Sequence, residues 1–175
     1  MNDNNTIVNR VAKSDIQTID PEKYYPGNSL ESFDFKDYLF KGLILREKDF
    51  RAALKSYDWS QLQGKYLHVQ SSTDAVIPLW AYMLVGVYAK PYVRRIFNCS
   101  RSEAINHVIL EGIQLDYTVE KITDGKFVIK GCSQHNLSPD LYIALSAYLQ
   151  PHAKSIMFGE PCSTVPIYKR KKISN

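Results

Sequence analysis

The stretch Lys126–Phe158, KFVIKGCSQHNLSPDLYIALSAYLQPHAKSIMF, reads as strand, helix and strand in turn. Lys126–Lys130 is a short run around Phe127, Val128 and Ile129 that stops at Gly131-Cys132-Ser133. Ser138 stands where an N-cap belongs, and Pro139 opens the helix, where a missing N–H costs nothing. Leu141, Ala144, Leu145, Tyr148 and Leu149 recur at helical spacing, and Pro151 ends the run. Ser155–Phe158 is the next strand. Two strands joined through a helix within about thirty residues make a βαβ unit, whose strands pair in parallel.

The same alternation continues upstream. Tyr66–Gln70 is a strand followed by Ser71-Ser72-Thr73-Asp74, and a helix runs from about Pro78 to Ala89. That helix, PLWAYMLVGVYA, is apolar nearly all round, which predicts that it is largely buried. Arg95-Ile96-Phe97 is a strand followed by Asn98-Cys99-Ser100. Ser100 and Glu103 have capping-box spacing ahead of a helix carrying Ile105, Val108, Ile109 and Ile113. Strand ends near 70, 98, 131 and 158 recur at about thirty residues, the length of a βα unit. The expected class is α/β: a mainly parallel sheet of about four to five strands with helices on both faces and right-handed crossovers. Val165–Tyr168 is the candidate antiparallel edge. No self-similarity points to a solenoid.

Residues 1–32 read as an irregular extension packed on the domain. Ile7-Val8 and Ile16–Ile19 are short strand candidates, broken by Asp20-Pro21 and Pro26-Gly27-Asn28. Phe33–Phe40 fits alternation and helical spacing equally, while Arg46–Tyr57 is a clearer helix with Phe50, Ala53 and Leu54 on one face. The expected organisation is thus an extension over 1–32, a single α/β domain over 33–168 and a basic tail over 169–175.

At 175 residues, 45% hydrophobic and 23% charged, the chain is long enough for a substantial core and has an ordinary globular composition. The formal net charge is +4, and the four consecutive cations Lys169–Lys172 account for all of it. A neutral body with a short basic tail argues against nucleic acid as a partner, since that needs a basic face on the fold. The polar N-terminus has no export signal, and the apolar run Val76–Ala89 is too short to span a bilayer. With three cysteines and no dense cysteine pattern, a cytoplasmic protein with reduced thiols and no membrane association is expected.

If the strands share one sheet, Ser71–Asp74, Cys99-Ser100, Cys132-Ser133 and Glu160–Thr164 lie beyond strand C-termini, the side on which open α/β sheets bind ligands. All three cysteines fall in these connections. A zinc or iron site is one reading, with Cys132, Cys162 and His135 as ligands and oxygen from Asp74 or Glu160; no C-x-x-C accompanies them. A shared mononuclear site needs the two sulfurs within roughly 10 Å. A reactive thiolate at Cys132 or Cys162 is another, with His68, His135 or Glu160 as its base. Against both stands simple filling of a tight junction by small cysteines, the reading that suits Cys99 best. Asp74 is equally an N-cap, and Ser163 and Thr164 either bind an anion or satisfy a turn. His107 and His152 read as solvent or cap residues. No G-x-G-x-x-G, G-K-[ST] or G-x-S-x-G motif supports a nucleotide or esterase reading.

The combination of IVNRVAKS (Ile7–Ser14), GLILREKDFR (Gly42–Arg51), WAYMLV (Trp80–Val85), VIKGC (Val128–Cys132) and KSIMFGEPCSTVPIYKR (Lys154–Arg170) resembles the domain-of-unknown-function 2480 family over nearly the whole chain. The resemblance implies a cytoplasmic bacterial protein and brings no established activity. It also associates the chain with gene neighbourhoods for iron–sulfur cluster assembly, which favours a thiol or metal role for Cys132 and Cys162.

Two functions are therefore expected as alternatives. In the first, Asp74, Cys132, Glu160 and Cys162, with Ser163 and Thr164, form a small-ligand, metal or sulfur-handling pocket at the strand rim. In the second, the chain is a non-enzymatic protein-interaction module with structural cysteines, and exposed aromatics and the basic tail meet a protein partner. A homodimer is compatible with either, and no residue pattern names a reaction.

Overall fold

Asp20 and Asp34 each end a short strand and turn the chain by accepting a backbone N–H two residues on, Asp20 from Glu22 at 3.2 Å and Asp34 from Lys36 at 3.0 Å. These two turns open two copies of one plan. The computed structural model describes residues 15–131, 134–160 and 163–171. The strands and helices are, in chain order, β1 (Ile16–Ile19), β2 (Leu30–Asp34), β3 (Leu39–Phe40), β4 (Ile44–Leu45), α1 (Glu47–Ser56), β5 (Tyr66–Gln70) and α2 (Leu79–Ala89). They continue with β6 (Arg95–Phe97), α3 (Arg101–Asp116), α4 (Val119–Ile122), β7 (Lys126–Ile129), α5 (Pro139–Leu149), β8 (Ser155–Glu160) and β9 (Ser163–Lys169). One-turn 3₁₀ helices cover Pro21–Tyr24, Phe35–Tyr38 and Trp59–Leu62, among others.

The α/β class and the parallel pairing expected from the sequence are present, with the strands shared between two main sheets. One has the order β1-β7-β8-β9 and the other β2-β5-β6, while β3 and β4 form a small hairpin. β7 lies parallel between β1 and β8, and β5 lies parallel between β2 and β6. β9 returns antiparallel along β8 as the expected edge. Pro166 is tolerated there because an edge strand has one side whose N–H groups pair with nothing in the sheet. Ile7-Val8 lies outside the described residues.

The chain divides into two compact units. Unit 1 takes in the described parts of residues 1–25 and 106–175, and unit 2 is Pro26–Ile105. Each unit runs strand, 3₁₀ turn, helix, short helical turn, central strand, helix and strand. The correspondence extends to single hydrogen bonds. In unit 2, Gly64 N–H donates to Tyr92 O and Arg94 N–H to Lys65 O, both at 2.8 Å. In unit 1, Asp124 N–H donates to His152 O at 3.0 Å and Lys154 N–H to Gly125 O at 2.8 Å. The turn before each central strand needs a positive φ, supplied by Gly64 at 72° and by Asp124 at 58°. Asp is one of the few side-chain-bearing residues that tolerates this conformation.

Packing follows the same plan. Leu67 and Val69 on β5, and Phe127 and Ile129 on β7, are buried in their units. Each following helix buries one row at four-residue spacing: Ala81, Val85 and Ala89 on α2, and Leu141, Leu145 and Leu149 on α5, all at 0% exposure. Unit 2 adds an aromatic core in which Phe33 stacks on Tyr38 at 4.8 Å and on Trp59 at 6.1 Å between ring centroids. The indole N–H of Trp59 donates to Leu54 O at 2.9 Å, so its one polar atom is satisfied inside that core.

Two local expectations change. The opposite side of α2 is not buried: Leu79, Met83 and Val87 are 81%, 72% and 70% exposed. An apolar composition all round allowed burial on every side, but the fold buries one row fully, packs Trp80, Tyr82, Leu84 and Tyr88 partly against the core, and leaves this row in water. Ser138 does hold the N-cap position of α5 but makes no capping bond; its hydroxyl instead accepts from Asn106 Nδ2 at 2.6 Å. The capping box is as expected, with Ser100 N–H donating to Glu103 Oε2 at 2.8 Å and Glu103 N–H to Ser100 Oγ at 3.2 Å.

Candidate functional site

In unit 1 the connection after β1 meets the connection after β7, because those two strands are neighbours and both end there. Pro21 opens the 3₁₀ turn and Glu22 follows in its first turn. One oxygen of Glu22, Oε1, accepts three hydrogen bonds from the β7 connection. Gln134 N–H donates at 2.8 Å, His135 N–H at 3.2 Å and His135 Nδ1 at 2.7 Å. The hydrogen bond from the His135 side chain is the main cause that holds the Glu22 carboxyl below its ordinary value; partial burial opposes it and the two backbone bonds add to it. An ionised Glu22 only accepts, so Nδ1 of His135 carries the proton of this bond and the ring's other nitrogen, Nε2, carries the lone pair in the neutral form.

The ring is held from a second direction. His135 stacks on Tyr25 with centroids 3.6 Å apart and planes 20° from parallel. Beside it opens a cavity of about 310 Å³ lined by Gly131, Gln134, His135, Asn136, Leu137 and Tyr142. Lys130, at the end of β7, pairs with Asp20 Oδ2 at 3.4 Å and so ties the bases of the two connections together. A fixed imidazole tautomer at the edge of a small cavity is suited to proton transfer or to holding a ligand through Nε2.

The residues singled out from the sequence are distributed as follows. His135 is in this site, while Cys132 and Cys162 lie outside the described residues. Glu160 pairs with Ser163 and Gly159 with Thr164 where β8 turns back into β9. The Thr164 hydroxyl donates to Met157 Sδ at 3.7 Å, a bond internal to the sheet. Asp74 is in unit 2, exposed, and does not cap α2, whose N-cap position is Pro78. Also in unit 2, His68 is a core residue at 1% exposure, with Nε2 2.6 Å from Cys99 O. Burial, and then the neighbouring charge of Glu103, push the Cys99 thiol up, the opposite of what a reactive thiolate needs.

Unit 2 has the counterpart of the unit 1 junction with different chemistry. Asp34 Oδ1 accepts from Ser72 N–H at 3.0 Å, as well as from Lys36 N–H. Burial raises the Asp34 carboxyl, but hydrogen bonds from Ser72 and Lys36 outweigh it and the net displacement is downward. The same join between first-strand and central-strand connections is made, and no imidazole takes part in it.

Glu22 and Tyr25 are the site residues that sequence reasoning missed. Glu22 acts on a segment 112 residues away in the chain. The available signal was local: an acid directly after Asp20-Pro21, at the end of a short apolar run, stands at a strand C-terminus if that run is a strand.

The chain matches, over residues 5–170, the model of a family described as a protein of unknown function, DUF2480. It belongs to that family. The matched span of this DUF2480 chain covers all of unit 2, nearly all of unit 1 and every residue of the Glu22–His135 junction. No curated protein and no solved structure matches it. Among the described residues, no group of three or more His, Cys, Asp and Glu side chains is placed to hold a metal ion. No described helix is long and apolar enough to cross a membrane.

Proposed function

We propose that this DUF2480 protein binds a small ligand at the unit 1 junction, with His135 as its acid–base or ligating group and Cys132, in the same short connection of the sequence, as its thiol. The observation that carries the reading is the Glu22–His135 hydrogen bond at 2.7 Å next to the cavity. An imidazole held in one tautomer by a carboxylate and one aromatic face is more order than a solvated loop needs. Cys132 is three residues before His135 in the sequence, and a thiol within reach of such a ring exchanges its proton with it and becomes the nucleophile or the metal ligand. Sulfur handling and binding of zinc or iron, with Cys162, Glu160, Ser163 and Thr164 of the same unit as further contributors, are the chemistries this reading admits; Asp74, in unit 2, is not part of it. A cytoplasmic setting with reduced thiols is part of it.

The test is the pH dependence of alkylation at each cysteine of the intact chain, followed by peptide mass spectrometry, for wild type and His135→Gln, together with bound-metal content after anaerobic purification. Cys132 is expected to react in the wild type at a pH below the ordinary thiol range near 8.5, and to lose that advantage in the variant. Equal profiles for Cys132 in the two proteins, with no bound metal in either, sink the proposal. The second reading, a protein-interaction module, is favoured by a different observation: the exposed apolar row on α2.

A further inference from the structure

We propose that the outward face of α2, with Val76 just before it, is the surface through which two copies of this chain associate. Leu79, Met83 and Val87 stand at positions i, i+4 and i+8, so they form one line about 12 Å long on the side of the helix opposite Ala81, Val85 and Ala89. Val76, 88% exposed, lies just before the helix in the same unit. Together the four side chains leave on the order of 500 Å² of apolar surface in water, at the upper end of what a soluble monomer carries as its largest patch.

The chemistry of this face selects the occupant. None of the eleven residues of α2, LWAYMLVGVYA, is charged. A charged peptide or a nucleic acid finds no complement there, whereas a second uncharged face of the same shape does. A twofold axis crossing α2 sets the row against its own copy, and the interface is self-complementary without any charge pairing. Gly86 is adjacent to the row, and a Cβ built on it would meet nothing within 4 Å, so two helices can approach closely there. Doubling the four-residue patch, Val76 included, gives about 1,000 Å², the threshold for a stable interface, before the half-buried Ile77, Trp80 and Leu84 at its margins are counted. The corresponding helix of unit 1 does not present the same row. Ile143 is 67% exposed where α2 has Met83, but Pro139 and Ala147 stand in place of Leu79 and Val87.

Sedimentation velocity on the full chain at concentrations from about 1 to 100 µM tests this, with far-UV circular dichroism to establish that each variant is folded. Wild type is expected to sediment as a dimer. Met83→Glu is expected to raise the dimer dissociation constant at least 100-fold with an unchanged spectrum, and Ile143→Glu to leave it unchanged. Should Met83→Glu fail to fold, Val87→Lys replaces it. A wild-type chain that stays monomeric across the range overturns the proposal, as does a folded Met83→Glu or Val87→Lys protein that remains a dimer. A monomer that co-sediments with phosphatidylglycerol vesicles overturns it in favour of a lipid surface.

Discussion

At the scale of the residue, Glu22 organises the unit 1 site. Its one oxygen accepts from two backbone amides and from the imidazole, and this fixes both the position of Gln134 and His135 and the tautomer of His135. The bonds favour the ionised carboxylate, so the folded protein holds its proton less tightly than the unfolded chain does. The resulting stabilisation is fully present above the ordinary carboxyl value of 4.5 and is lost as pH falls through the lower folded value. Glu22→Gln, which keeps the shape and removes the charge, is expected to flatten the acid limb of stability below about pH 4.5 relative to wild type. Urea denaturation at a series of pH values measures this, and parallel acid limbs would show that Glu22 is not held as described. Cys132 and His135 were legible as candidates because they share one short segment. Glu22 was not, since its role exists only once β1 and β7 are neighbours.

Among the elements, periodicity gave what it physically encodes. Tyr66–Gln70 and Arg95–Phe97 match β5 and β6 residue for residue, and α5 begins at Pro139 as its proline demands. What periodicity cannot encode is which side of an apolar helix finds a neighbour, and α2 shows the consequence in its exposed row. The β8–β9 edge depends on a different local fact. Gly159 has φ +120°, and a Cβ there would lie 2.5 Å from the backbone oxygen of Ser163. A backbone oxygen in a paired strand has no side-chain freedom with which to move away. Gly159→Ala is therefore expected to cost about 2 kcal/mol or more, through strain and loss of the β8–β9 ladder. Thermal unfolding of the two proteins measures it, and a variant as stable as wild type would mean that the edge rearranges at no cost.

For the whole molecule, the feature hardest to see in the sequence is that one plan is used twice, with the second copy placed inside the first. β1 and its turn come before all of unit 2, and the rest of unit 1 comes after it, so neither copy is a continuous match to the other. Few side chains repeat: Tyr82 and Tyr142, Tyr88 and Tyr148, Pro91 and Pro151, and Ile96 and Ile156 are among those that do. What repeats is backbone hydrogen bonding and burial, both of which many sequences satisfy. The plan places one strand in each unit between two parallel neighbours, and the side chains of those strands are nearly all buried. Amides there open only when the sheet itself comes apart, whereas a two-residue hairpin or an edge strand opens alone. Native-state hydrogen exchange is therefore expected to show two protected centres, around Leu67–Val69 in β5 and Phe127–Ile129 in β7, with Leu39–Leu45 and β9 exchanging at least tenfold sooner. If only one of the two central strands is protected, the second copy keeps the plan of the first without its stability, and the repeated hydrogen bonds would then mark shape alone.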